Sequence, residues 1–567
     1  MQFNRFSQIR HPYVSVSVFG ILRRPWTTLA VAVLLLAPQK YLESNNFSEA
    51  AESEIRFVDS ENSLANVLQH GASLEKQEKW SEALAHYEDA IKRFPNDKIL
   101  QGHQDLARIH YDLGRRYDDN SYRATMEALS AQQATELYEE VLTKVDSYFV
   151  HDMDWQRLVD RGMQCLEIAI LNKFLIDRPQ TDTMHSAIEP TLKQLKQFIA
   201  QHPVKNRKEA VTVAAATAAF VSSELGVSQS AVLLEYVAGA SGGLDNYSCY
   251  LTGNQLKDVY SQIDGNFVGI GIELKADNNA LLIVSVIPGS PAAKAGIQGG
   301  DRILAVNGTS THNLSTDAAA GLLQGPKNSR LELSISSSQQ QTRNVSLVRQ
   351  HVEVPSVDGV CLIDQNQKVG YLRLISFQRS TSREIDEALW KLYHQGMKSL
   401  VIDVRSNPGG LLSASVDVAD KFVPQGTIVS TRGRSPQEDY DYPARRSSTW
   451  ELPLVVLVDE NSASASEIFA AAVRDHHRAT LVGRNSYGKG SVQGIFPLAR
   501  CGAGLRLTTA KFYSPNGKPI SNIGVKPDIV VHQAEKPVLT IGTKPVPDKD
   551  PILRAGIDAA RQKIAAR

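Results

Sequence analysis

Cysteine is scarce: four residues in 567, Cys165, Cys249, Cys361 and Cys501, stand far apart with no C-x-x-C pair and no Cys/His cluster. That spacing excludes a zinc or iron–sulfur centre built on local motifs and reads as four buried thiols, with a disulfide open to an exported chain. Net charge is also lacking. The 61 Lys plus Arg residues balance 61 Asp plus Glu and are spread along the chain, so nucleic acid is not an expected partner. A long apolar run at the amino terminus is missing too. Leu29 to Ala37 is nine residues, well short of the roughly 20 that a membrane span needs. Arg5, Arg10, Arg23 and Arg24 precede this run and Pro38 and Lys40 close it, which is an export signal in outline. No clean A-x-A site follows, so an uncleaved amino-terminal membrane anchor stays open beside a signal peptide. The Arg23-Arg24 pair reads as flanking positive charge rather than a twin-arginine signal. The expected location is the cell envelope: exported, periplasmic or membrane-anchored.

What is present suits a folded multidomain protein. A length of 567 residues suggests three or four domains, and 42% apolar with 22% charged residues is ordinary for packed cores. The expected layout is an amino-terminal segment over 1–40, a polar, acidic linker over 41–60, a helical domain over 61–250, a β-module over 255–350, an α/β core over 355–535, and a linker with a last helix over 536–567. Gly71, Ala83, Tyr87, Ala90 and Pro95 fall where a tetratricopeptide repeat places its glycine, alanines, aromatic and proline, with helices over Ser63–Lys79 and Trp80–Arg93. Only one such unit is visible, so it reads as a hairpin packed into a larger helical domain rather than a repeat array. Helical patterning continues through Leu106–Leu113, Ala124–Val145, Trp155–Leu175 and Ala187–Ala200. Any adaptor protein would dock on this domain.

The second half alternates strand and helix: Val369–Phe377, Ser382–Tyr393, Ser399–Val404, Leu411–Phe422 and Leu454–Val458, the pattern of an α/β core. Its centre is Asn461 to Gln493, NSASASEIFAAAVRDHHRATLVGRNSYGKGSVQ. The apolar run Leu454–Val458 has the length of a buried parallel strand, and helical spacing begins at Ala465, so Ser464 falls at a strand-to-helix turn. Such a turn aims free backbone N–H groups at whatever the serine attacks. A serine needs a base, and Lys489 between Gly488 and Gly490 supplies one if burial lowers its pKa. Gln493 would hold the amine by accepting its hydrogen bond. His476 is the rival base, but it lies twelve residues beyond Ser464, roughly 18 Å along a continuous helix. Asp403 would raise the lysine's pKa and reads as structural, and Ser462 and Ser466 read as helix caps.

S-A-S-A-S-E-I followed by G-K-G-S-V-Q resembles the signature of the carboxyl-terminal processing proteases, the Ser/Lys peptidase family that includes the bacterial tail-specific proteases. The resemblance implies Ser464 as nucleophile, Lys489 as general base 25 residues on, and Gln493 as the residue that orients the lysine. Asp403-Val-Arg-Ser-Asn-Pro-Gly-Gly410 is similar to the family's D-x-R-x-N-x-G-G segment, which implies an oxyanion N–H from Gly409 or Gly410, with Ala465 as second donor. Residues from about Asn266 to Arg349 resemble a PDZ domain: Val268-Gly269-Ile270-Gly271-Ile272 as carboxylate loop and first strand, Pro288 to Gly308 as the short helix and hairpin, and Thr316–Leu323 as the groove helix. Such a loop would capture a terminal carboxylate and the strand edge would accept the peptide. Leu244 to Leu251 is similar to the family's L-D-P-x-S segment, with Asn246 in place of proline, and Gly524-Val-Lys-Pro-Asp528 to its closing G-V-x-P-D. Leu505–Tyr513 with the turn Ser514–Gly517 reads as a hairpin, and Asp550-Pro551 as the cap of a last helix.

The fold class expected is therefore multidomain α+β: a helical domain, a PDZ β-module and an α/β, crotonase-like serine protease core. The function expected is a serine endopeptidase acting on proteins selected by their carboxyl-terminal tails, with no metal and no organic cofactor because the lysine moves the proton. The alternatives are a catalytically silent scaffold that binds carboxyl-terminal peptides, and a hydrolase of esters or lipids.

Overall fold

The computed structural model describes residues 14–16, 63–175, 182–277, 280–312, 322–323, 325–337, 341–532, 541–542 and 544–566. The expected export signal and the 41–60 linker fall outside these residues, apart from Val14–Val16 (β1). Most of the expected Thr316–Leu323 helix and part of the 536–550 linker also fall outside.

Among the described residues the amino-terminal half is helical, from α1 (Leu64–Lys76), α2 (Trp80–Arg93), α3 (Lys98–Asp118), α4 (Asn120–Ala128) and α5 (Ala131–Tyr148) to α6 (Trp155–Leu171), α7 (Asp182–Gln201), α8 (Arg207–Leu225) and α9 (Gln229–Gly242). Ser63, Asp97, Asp119, Ser130, Asp154 and Asn206 cap helix starts by accepting backbone N–H bonds. The expected Ala124–Val145 helix is two helices, because Ser130 closes a capping box with Gln133 and restarts the chain as α5. Helix α9 is buried all round, from Ser230 to Ser241, and forms the axis against which α5, α6 and α8 pack. Its one acid, Glu235, accepts from Arg116 at 2.6 Å, Tyr117 at 2.9 Å and Tyr122 at 3.0 Å. The buried carboxylate is thus fully engaged.

After β2 (Cys249–Leu251) and α10 (Gly253–Asp264), the strand β3 (Asn266–Gly269) leads into a small antiparallel sheet: β4 (Ile272–Asp277), β5 (Ala280–Val286), β6 (Arg302–Val306), β7 (Thr309–Ser310), β8 (Arg330–Ser336) and β9 (Thr342–Val348), with the short helix α11 (Pro291–Lys294). Its order is β4-β5-β6-β8-β9, which puts β4 at an edge. Strand β10 (Gln350–Glu353) returns to pair with β3.

The core carries two sheets. In the first, β11 (Val357–Asp364) runs antiparallel to β12 (Val369–Leu374), and β12, β13 (Ser399–Asp403), β16 (Leu454–Val458), β17 (Ala479–Gly483) and β20 (Ile529–Val530) are parallel neighbours. Every residue of β16 is buried, as a strand covered on both faces requires. Leu454, Val456 and Val458 face α12 (Thr381–His394), α13 (Leu412–Ala419) and α14 (Ala465–Asp475), while Val455 and Leu457 face Ile552, Leu553 and Ile557 of α15 (Pro551–Ala565). Asp550 caps α15 with Pro551 at its first position. The second sheet runs β1-β18-β19-β14-β15 with β2 on β19, built from β14 (Thr427–Gly433), β15 (Tyr440–Pro443), β18 (Ser491–Pro497) and β19 (Gly504–Tyr513). β1 lies antiparallel on β18 with Val16 opposite Gln493. The hairpin expected after Tyr513 is reduced to a single bridge between Tyr513 and Pro519; β19 instead pairs with β18, β14 and β2. The protein is thus multidomain α+β.

Candidate active site

Strand β16 ends at Val458, and a buried turn carries the chain into α14. Ser464 stands at the start of that helix with φ 59° and ψ −115°, a conformation costly for a residue with a Cβ, and its side chain is buried. A sharp strained turn of this kind sets a hydroxyl at the head of a helix whose first N–H groups have no partner within the helix. Ala465, the first helical residue, contributes one of them.

The loop after β17 returns Lys489 to the same place. One carboxylate joins the two segments. Glu467 Oε2 accepts the N–H of Ser464 and that of Lys489, each at 2.8 Å, while Oε1 accepts Ser486 Oγ at 2.6 Å and Gly488 N–H at 2.7 Å. Tyr487 N–H adds a bond to Ser462 C=O at 3.0 Å. Glu467 was missed among the candidate site residues, although Ser464-x-x-Glu467 is the spacing of a capping box and could have flagged it. Its burial pushes the carboxyl up from its ordinary value, and the four donors oppose that shift.

Lys489 is 1% exposed. Burial lowers its amine well below the ordinary 10.5 and Arg506 lowers it further, against Glu467 and Asp245, which raise it. The Nζ atom lies 5.0 Å from the centre of the Tyr247 ring.

Gln493 is fully buried, but its amide does not reach the lysine. Nε2 donates to Ser491 Oγ at 2.9 Å and Oε1 has no hydrogen-bond partner. The register between β18 and β19 shifts at this point, Val492 standing opposite Ala510 and Gln493 opposite Thr508, with Thr509 of β19 as the extra residue. The expected lysine–glutamine bond is therefore absent from this arrangement, and Gln493 holds an unused acceptor in the core.

The glycine turn after β13 packs directly on the serine. A Cβ on Gly409 would stand 2.8 Å from Ala463 O and from Ser464 Cβ, and its φ is +106°. Gly409 N–H is already given to Asn407 Oδ1 at 2.9 Å, which leaves Gly410 as the better placed of the two expected oxyanion donors. Asn407 C=O also accepts from Ala463 N–H and from Ser466 Oγ, both at 3.0 Å. Ser462 Oγ donates to Val404 C=O at 2.8 Å. Ser462 and Ser466 thus bind the glycine loop to the serine turn instead of capping the helix. His476 is at the far end of α14, bonded to Thr427 C=O.

Asp403 is structural. Its carboxylate takes Arg405 Nε at 2.9 Å, Arg405 Nη2 at 2.7 Å and Tyr371 OH at 2.9 Å; burial opposes its charge, but Arg405 outweighs this and holds it below the ordinary value. Arg405 also reaches Asp550 at 2.8 Å, so the cap of α15 supports the strand end that carries the glycine loop.

In the β-module, Ile270 and Ile272 are core residues, and Gly271, at φ +79°, sits where a Cβ would come within 2.3 Å of Ser290 Cβ. Val268 and Gly269 belong to β3, paired with His351 and Gln350. The five residues therefore span two strands and the bend between them, beside β4, the edge strand of this sheet among the described residues.

The model of peptidase family S41 matches residues 368–531, and that of the PDZ domain residues 282–336. The fold and the matched segments define a PDZ-bearing peptidase of the S41 class. The carboxy-terminal-processing protease of Bartonella bacilliformis is 40% identical over 296 residues, 51% of this chain and 67% of that protein. The carboxyl-terminal-processing protease of Synechocystis sp. is 40% identical over 269 residues, 47% of this chain and 62% of that protein. The solved photosystem II D1 C-terminal processing protease is 26% identical, covering 70% of this chain and 93% of that one with a TM-score of 0.37. The chain belongs to the carboxyl-terminal-processing protease family.

Proposed function

We propose that this chain is a serine endopeptidase that cleaves proteins selected by their carboxyl-terminal tails, with Ser464 as nucleophile and Lys489 as general base. The observation that carries the reading is the shared Glu467 oxygen, 2.8 Å from the amide nitrogens of both residues, in a site whose burial favours the neutral lysine. A neutral amine takes the Ser464 proton as Oγ attacks the scissile carbonyl. The N–H groups of Ala465 and Gly410 receive the oxyanion, each such donor being worth roughly 3 kcal/mol in the transition state. The ammonium then gives its proton to the leaving amine, and a water activated by the regenerated amine releases the acyl group. Lysine alone moves the protons, so no metal or organic cofactor is required.

The edge strand β4 beside Val268–Ile272 supports capture of an extended tail by strand addition. Export to the cell envelope and an adaptor docking on the helical domain complete the reading.

The test is degradation of an unfolded protein ending in an apolar tail by the intact chain, Ser464→Ala and Lys489→Ala. Cleavage lost in both variants supports the dyad. A folded intact chain that bound the tail but cut nothing would favour a scaffold.

A further inference from the structure

We infer that Tyr247, on the turn that leads from the helical domain into the core, is a positioning residue for Lys489: its ring face covers the amine and stabilises the ammonium formed when the lysine takes the serine proton. The inference rests on Lys489 being the base. Nζ is 5.0 Å from the ring centre, inside the distance of about 6 Å at which a ring face attracts a cation, and the attraction grows when water is excluded.

The turn is pinned at every residue, so the ring is held rather than merely nearby. Asp245 Oδ1 accepts the N–H groups of Tyr247 at 2.9 Å and Ser248 at 2.6 Å. Arg506 Nε donates to Tyr247 C=O at 2.9 Å, and Thr508 N–H to Ser248 Oγ at 3.2 Å. Asn246 is bonded to Arg108 of α3, and Tyr250 pairs with Leu505 of β19.

The charged groups around the amine come from three directions: Arg506 on β19, Glu467 on α14 and Asp245 on the turn. Glu467 is engaged by four donors and Arg506 repels. A carboxylate placed directly on Nζ would keep the resting lysine charged and useless as a base. A neutral ring favours the ammonium more weakly, which still lets burial keep the resting amine uncharged while easing the proton transfer from Ser464 Oγ to Nζ and on to the leaving nitrogen.

The experiment compares Tyr247→Phe and Tyr247→Leu, each read in two ways. The first is NMR titration of the Lys489 amine in ¹⁵N-lysine-labelled protein carrying Ser464→Ala. The second is kcat and KM on an apolar-tailed substrate with Ser464 intact. Tyr247→Phe keeps the face and is expected within about twofold of the parent. Tyr247→Leu fills much of the space without the face, so the amine pKa should fall by about one unit and kcat by about tenfold at constant KM. Pentafluorophenylalanine at 247 keeps the ring's shape, weakens its face and should act like leucine, which covers a Leu variant that does not fold. A merely structural role would let water in, so an amine pKa that rises or stays put overturns the inference. If Lys489→Ala left kcat intact the base assignment would fall, while the titration would still decide the ring contact.

Discussion

Glu467→Gln is the sharpest perturbation of the site, because it preserves shape and removes one charge. The carboxylate offers two oxygens to four donors. Glutamine keeps one oxygen and presents an NH₂ group in place of the other. Its better orientation leaves the oxygen on Ser464 and Lys489 N–H and turns NH₂ toward Ser486 and Gly488. The Ser486 hydroxyl can rotate to accept, but Gly488 N–H cannot. One buried backbone donor is then orphaned, at a cost of about 1–3 kcal/mol. The Lys489 loop should shift, and a displacement of about 1 Å in a catalytic group costs about 100-fold in rate. The pH profile separates lost charge from a loosened loop. Glu467 raises the Lys489 pKa, so losing its charge moves the acid limb of kcat/KM to lower pH, whereas water reaching the amine would move it to higher pH. The assays are urea unfolding and degradation of a tailed unfolded substrate across pH. A Gln variant with parental stability, rate and pH profile would refute the role assigned to Glu467.

Three further outcomes are expected. Burial lowers the folded-state Lys489 pKa well below its ordinary 10.5, so between the folded and unfolded values the unfolded state binds more protons and stability rises with pH toward 10.5; Lys489→Met should flatten this slope, by urea melts at pH 7 and 9. Gly409→Ala places a methyl 2.8 Å from Ser464 Cβ in a backbone conformation that alanine resists, and should lower kcat by about 100-fold or more while far-UV circular dichroism stays native. Asp550→Ala removes one partner of buried Arg405 together with the cap of α15, and should cost about 3 kcal/mol of stability, with Asp550→Asn losing less because it can still cap.

Much of this architecture was legible because it is local. Leu454–Val458 announced itself as a buried strand, and Asp550-Pro551 as a helix start, through signals a few residues long. Helices α8 and α9 escaped because their apolar residues do not favour one face: α9 is buried on all sides, so no 3.6-residue stripe marks it. At the site, the motif gave Ser464 and Lys489, but the bonds between their segments depend on a chain reversal through β17 that no spacing encodes. Gly409 and Gly410 look equivalent in sequence and differ because the Asn407 side chain takes one N–H. Gln493 sits four residues from Lys489 in sequence, yet its amide is taken up by Ser491 of the same strand, next to a register shift against β19 that no spacing announces.

The helical half and the peptidase core are less separable than their order along the chain suggests. Phe496, Leu498, Leu505 and Leu507 of the core lie in one apolar cluster with Leu137, Val141 and Leu233 of α5 and α9, and Tyr250 is buried with them. A truncation that removed α5 and α9 would strip the backing from β18 and β19. A graft of this catalytic segment onto another carrier would need to bring α5, α9 and the Asp245–Ser248 turn with it. The shared cluster makes the amino-terminal half a chassis of the core rather than cargo.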